Sequence, residues 1–111
     1  KYVLCAVTNG TKIAQEKKLK LSSLDKVFDA IFISEDVGIE KPDKEFFNYV
    51  FEKLGITDKS EVLIIGDSLT SDIKGGFNSG IDTCWYNIDN EKPLYKTRFE
   101  IKNLLELKTI L

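Results

Sequence analysis

Residues 61–76 read EVLIIGDSLTSDIKGG. An aliphatic run stops at Gly66, passes straight into Asp67, and meets a second carboxylate, Asp72, five residues later. A short apolar run closed by turn residues suits a strand buried on both faces. The spacing predicts a strand over 61–66 that ends on Asp67, and a helix over 71–80 that carries Asp72 in its first turn. A buried strand that ends on an acid implies a cation or a donor for that acid.

Working outward, the same alternation recurs. YVLCAV (2–7) reads as a strand closed by Thr8-Asn9-Gly10, AIFIS (30–34) as a second and DTCWYN (82–87) as a fourth. Between them KIAQEKKLKL (12–21) reads as a helix whose Lys17, Lys18 and Lys20 form a solvated basic face. DKEFFNYVFEKLG (43–55) reads as another, with Phe46, Phe47, Val50, Phe51 and Leu54 on one stripe. Pro42 suits its first turn and Gly55 its stop. RFEI (98–101) and a short closing helix end the chain. Apolar strands separated by helices predict an α/β fold, Rossmann-like and doubly wound around a mostly parallel sheet. Right-handed crossovers bring every strand's carboxyl end to one edge, where such sheets bind ligands. That edge collects Thr8, Asn9, Ser34, Glu35, Lys41, Asp67 and Ser68. Trp85 and Tyr86 read as packing and rim residues.

Composition narrows the chemistry. A length of 111 residues suits one domain, with 42% apolar residues for a core. A net charge of −2 argues against nucleic acid or an anionic membrane as partner. With no membrane-length apolar run and no secretory leader in view, a cytoplasmic protein is expected. The absence of histidine removes Ser-His-Asp and Cys-His catalysis and most zinc sites. Cys5 and Cys84 stand alone in apolar runs and are expected to be reduced core residues. The chain holds no methionine and starts at Lys1, which is the pattern expected of a fragment or a processed chain.

A hydroxyl and backbone amides at a strand-to-helix turn are phosphate ligands, and an ammonium neutralises phosphoryl charge. Clustered carboxylates without imidazole or thiolate suit a hard cation such as Mg²⁺. The inventory fits phosphoryl transfer, which relies on positioning and electrostatics, but it lacks a nucleophile.

Together these stretches resemble the haloacid dehalogenase (HAD) superfamily, phosphatase branch, from its second motif onward. The strand ending in Thr8-Asn9-Gly10 is similar to the second motif, ISEDVGIEKPDKEFF (33–47) to the region of the third, and LIIGDSLTSD (63–72) to the fourth. Residues 1–111 then correspond to the C-terminal portion of a HAD-like hydrolase core domain. The resemblance implies a Mg²⁺-dependent phosphoric monoester hydrolase working through an aspartyl-phosphate intermediate. It implies that Thr8, with Asn9 beside it, binds phosphoryl oxygens and that Lys41 bridges phosphate and nucleophile. Asp67 would ligate Mg²⁺, and Asp72 would join it there or orient Lys41 or a metal-bound water. Lys41, Thr8 and Asp72 are thus the catalytic candidates, and Asp67 and Asp72 the metal candidates. The GDS sequence also favours a phosphatase over the family's metal-free dehalogenases.

The departures are equally specific. The family's first motif, D-x-D on the central strand, is missing, and so is the cap that selects substrate. Asp25, Asp29, Asp43 and Asp58 lie in no strand context that could replace it. The chain alone is therefore expected to be inactive. Removing a central strand leaves its neighbours ~10 Å apart, since strands sit ~4.8 Å from each other. An N-terminal segment or a second chain is expected to complete the sheet. The substrate is expected to be a small phosphorylated metabolite. The tail resembles cytosolic nucleotidases acting on pyrimidine nucleoside monophosphates, and a sugar phosphate is equally admissible. Two other readings stand: a non-catalytic truncated or degenerate paralogue that binds a partner, and a response-regulator receiver domain. The receiver reading is disfavoured because its Lys-Pro would follow the last strand, not precede IIGD.

Overall fold

A computed structural model describes residues 2–111, and the chain divides into two compact units, Lys1–Lys41 and Pro42–Leu111. All strand pairing is parallel, as expected. The strands form two sheets, one of two strands and one of three.

The first unit is built on β1 (Cys5–Thr8) and β2 (Ala30–Ile33), in register from Cys5 opposite Ala30 to Thr8 opposite Ile33. Thr8 is therefore the last residue of the strand and not part of the turn after it. Helix α1 (Lys12–Leu21) starts where Thr11 Oγ1 accepts a hydrogen bond from the Ala14 amide at 3.2 Å. Such a cap satisfies one of the orphan amides of a helix start. Lys18 and Lys20 in its last turn suit the negative end of the helix dipole. A short 3₁₀ turn, Leu24–Lys26, leads toward β2. Helix α2 (Ser34–Val37), which the periodicity did not suggest, closes on Gly38 at φ 83°. α1 buries none of its residues, and Ile13 is 82% exposed.

The second unit opens with α3 (Lys44–Leu54), where Asp43 caps the Glu45 amide at 2.9 Å. The apolar stripe behaves as its spacing predicts: Phe46, Phe47, Val50 and Phe51 are buried. Its sheet runs β3 (Leu63–Gly66), β4 (Asp82–Tyr86), β5 (Phe99–Ile101), with β4 in the middle. Cys84 and Trp85 on that central strand are fully buried. The helix expected over 71–80 is two pieces, a π-type turn over Leu69–Ile73 and α4 (Lys74–Ser79). The glycines in it reflect packing, because a Cβ on Gly75 would collide with the Phe47 ring and one on Gly76 with Thr83 and Ile64. Beyond β4, the buried Asn87 ties down the connection to β5. Its amide nitrogen donates to the Glu91 carbonyl and the Glu100 carboxylate, each at 3.0 Å, and its oxygen accepts from the Glu91 amide at 2.9 Å. A 3₁₀ turn (Leu104–Glu106) and α5 (Leu107–Ile110) form the closing helix. Among the described residues no helix is long and apolar enough to cross a membrane.

Candidate functional site

The first unit brings Thr8, Asn9 and Lys41 together. The Asn9 carboxamide grips the backbone of Lys41 at both ends: Nδ2 donates to the Lys41 carbonyl at 3.0 Å and Oδ1 accepts from its amide at 2.9 Å. The Lys41 ammonium donates to the Val7 carbonyl at 2.9 Å. Lys41 is only 8% exposed, and a buried lysine is stable only with such partners. The Thr8 hydroxyl donates to Gln15 Oε1 at 3.2 Å. Gln15 is a neighbour that sequence reasoning missed. Its signal is Gly10, at φ 144°, where an added Cβ would strike the Gln15 amide. Ser34 and Glu35, placed on the edge by the sequence, are occupied in shaping this turn. The Ser34 hydroxyl accepts from the Gly10 amide at 2.9 Å, and Glu35 Oε1 accepts from the Lys12 amide at 3.0 Å.

The second unit carries the acidic pair. β3 ends at Gly66, so Asp67 emerges at the carboxyl end of the strand, where it is exposed. Ser68 then caps the π-type turn, its hydroxyl accepting from the Ser71 amide at 3.2 Å. The Ser68 carbonyl accepts from both the Asp72 and Ile73 amides, at 3.0 and 3.1 Å. The Ile73 bond spans five residues, the defining contact of a π-turn, and such turns recur at functional sites. The turn folds the Asp72 carboxylate back over the chain. It lies against Gly66, where any Cβ would collide with it, and accepts from the Ser68 amide at 3.4 Å. Asp72 is buried, at 9% exposure. The sequence GDS is thus explained locally: Gly66 makes room for Asp72, Asp67 faces outward, and Ser68 holds the turn.

The donors of this pair are oxygens alone, which suits a hard cation that takes one or two carboxylates and completes its shell with water and phosphate. Among the described residues no cluster of three or more His, Cys, Asp or Glu side chains forms a self-sufficient metal cage. The pair therefore fits Mg²⁺ as a partial ligand set. The two thiols stand apart from this chemistry. Burial, with Glu106 behind it, raises the Cys84 pKa, and burial, with Asp29 nearby, raises that of Cys5. Both are free thiols; Cys84 is a core residue as expected, whereas Cys5, on the two-stranded sheet, is only partly buried.

Comparison with known proteins identifies the family of the chain. The sequence model of the haloacid dehalogenase-like hydrolase family matches residues 1–86. The HAD-hydrolase YfnB of Bacillus subtilis (strain 168) is 49% identical over 99% of the chain and 48% of its own length. The pyrimidine 5'-nucleotidase YjjG of Escherichia coli (strain K12) is 44% identical over 78% of the chain and 39% of its own. A crystal structure of YfnB bound to magnesium superposes with a TM-score of 0.95 at 48% identity, over 100% of this chain and 50% of that one. The chain spans half or less of the length of these relatives. The chain belongs to the haloacid dehalogenase-like hydrolase family.

Proposed function

We propose that the full-length protein is a Mg²⁺-dependent phosphoric monoester hydrolase acting on a small phosphorylated metabolite, a nucleoside monophosphate or a sugar phosphate. The observation that carries the reading is the acidic pair around Gly66, with one carboxylate exposed at the strand end and one buried behind it. Similarity to a magnesium-bound hydrolase and to a pyrimidine nucleotidase supports it.

In this reading Asp67 would ligate the metal, and Asp72, buried behind it, would support that site. The cation, when bound, neutralises charge on the phosphoryl group. Thr8 turns its hydroxyl from Gln15 to a phosphoryl oxygen. The Asn9 side chain is engaged with Lys41, so Asn9 contributes to phosphate binding through its backbone while its carboxamide sets the position of the lysine. Lys41 then bridges phosphate and nucleophile as a compact cation between two anions. The nucleophile is an aspartate of the first motif, carried by a segment outside these 111 residues, and an aspartyl-phosphate forms on it. Without that segment the chain is inactive. One other reading is a non-catalytic paralogue that binds phosphate or a partner.

Mg²⁺ should support hydrolysis of p-nitrophenyl phosphate by the full-length protein, and Asp67→Asn should reduce it by about a thousandfold or more. Lys41→Ala should lower the rate by roughly 10²–10³-fold, and Lys41→Arg should recover little of it. Full activity in EDTA, or an unimpaired Asp67→Asn enzyme, overturns the assignment, and a full-length protein with no hydrolase activity favours the non-catalytic reading.

A further inference from the structure

Asp67 lies one residue beyond the end of β3, where the strand ladder stops: the last pairing joins Gly66 to Trp85 on β4. Its carbonyl oxygen is not left to solvent. The indole nitrogen of Trp85 donates to it at 3.1 Å. Trp85 is the one tryptophan of the chain and is fully buried, in a cluster with Leu69 and Ile73 against which Tyr95 packs. A buried indole N–H needs a partner, and packing on this scale gives the donor almost no freedom to move. The peptide unit that carries Asp67 is therefore pinned from the central strand of the sheet, although the aspartate itself is exposed.

We propose that Trp85 is the positioning residue for the metal-ligating carboxylate of Asp67. The inference rests on the reading of Asp67 as a Mg²⁺ ligand. Mg²⁺ demands near-ideal octahedral geometry, and an exposed carboxylate on a loose backbone would be ordered each time the cation bound. The indole removes that cost by holding the Asp67 backbone in place beforehand. It also occupies the carbonyl, so that Asp67 offers the cation its carboxylate and not its main-chain oxygen. Groups that orient a ligand from behind in this way usually change metal affinity by about 10–100-fold when removed.

Isothermal titration calorimetry of the full-length protein tests this with Mg²⁺ alone. Trp85→Phe keeps an aromatic ring in the cluster and removes the N–H, and should raise the Mg²⁺ Kd by about tenfold or more. Ile73→Val loosens the same cluster without touching the hydrogen bond, and should bind as the parent does. In the parent, the Trp85 indole ¹H–¹⁵N signal, assigned through its contacts to the Ile73 and Leu69 methyls, should shift during the titration with the calorimetric Kd. Equal Kd values for Trp85→Phe and the parent, or an equal weakening in Ile73→Val, overturn the proposal. If Trp85→Phe does not fold, the indole signal decides alone, and a signal unmoved by saturating Mg²⁺ overturns it. A parent that binds no Mg²⁺ overturns both this proposal and the metal reading on which it rests. A parent that binds through Asp67 while Trp85 proves indifferent overturns this proposal only.

Discussion

Helix α3 buries Phe46, Phe47, Val50 and Phe51, whereas α1, one residue shorter, buries none of its ten residues. The same contrast runs through the candidate site side chains of the two units. Asp67 is pinned by a tryptophan set in an apolar cluster, and Asp72 is packed against a glycine. Lys41 is held by hydrogen bonds, two exchanged between the Asn9 carboxamide and its backbone and one from its ammonium to the Val7 carbonyl. Among the described residues before Lys41, Ile33 is the one buried hydrophobic residue. A side chain can be fixed by packing or by directed polar contacts, and the two fail differently. Packing distributes its energy over many small contacts, while a polar clamp concentrates it in a few bonds whose loss leaves partners unsatisfied.

The largest expected break in the comparison is in the packed unit. Phe47→Ala removes a ring that meets Phe46 edge-on at 5.6 Å and lies beside Phe51 at 6.5 Å. It should lower unfolding free energy by about 3–5 kcal/mol in urea denaturation, a large part of a typical ~5–15 kcal/mol total. Ile13→Ala in the same chain should change it by no more than about 0.5 kcal/mol. Comparable losses from the two substitutions would erase the distinction between the helices.

Asn9→Ala attacks the polar clamp and should cost less, about 1–3 kcal/mol, because the Lys41 amide and carbonyl lose their partners in a mostly buried place. Its distinguishing effect should be on the proposed activity: in the full-length protein kcat should fall by roughly tenfold or more as Lys41 drifts. Unchanged kcat in a folded Asn9→Ala protein would show that the lysine is held by other means.

The smallest effect concerns the thiols. Burial raises the pKa of Cys84 above the ordinary thiol value of 9.0, so its protonated form is favoured in the folded state. A group with a raised folded pKa contributes stability fully present below the unfolded pKa and lost as pH rises through the folded one. Cys84 should therefore give stability no pH dependence near neutrality, stability should decline above about pH 9, and Cys84→Ala should flatten that alkaline slope. An identical slope in the variant would remove Cys84 from the cause. Iodoacetamide should also modify Cys5 faster than Cys84, since Cys5 is partly exposed and Cys84 fully buried.

Much of the second unit was legible in advance because its signals are local. The stripe from Phe46 to Phe51, stopped by Gly55, is a helix by periodicity, although Pro42, expected in its first turn, lies ahead of the Asp43 cap. The run ending at Gly66 and Asp67 is a strand by its apolar content, and parallel pairing follows from the alternation of elements. The glycines of α4 weakened that helix on propensity, yet they are there because neighbouring side chains leave no room for a Cβ. The π-type turn could not be read, since a bond from Ile73 to Ser68 in place of one to Leu69 has no periodic signature in five residues.

What the sequence determined by itself is the set of candidate groups: acids at a strand's end, a lysine before a helix, and no histidine. It also determined the family, through three motifs in order. Only the tertiary structure decided how each group is held. That Asn9 grips Lys41 across 32 positions, that Gln15 receives the Thr8 hydroxyl, and that Trp85 reaches back 18 positions to the Asp67 carbonyl depend on which strands lie side by side. Sequence spacing encodes neighbours along one element. Hydrogen bonds between elements follow from register and packing, which no local pattern specifies.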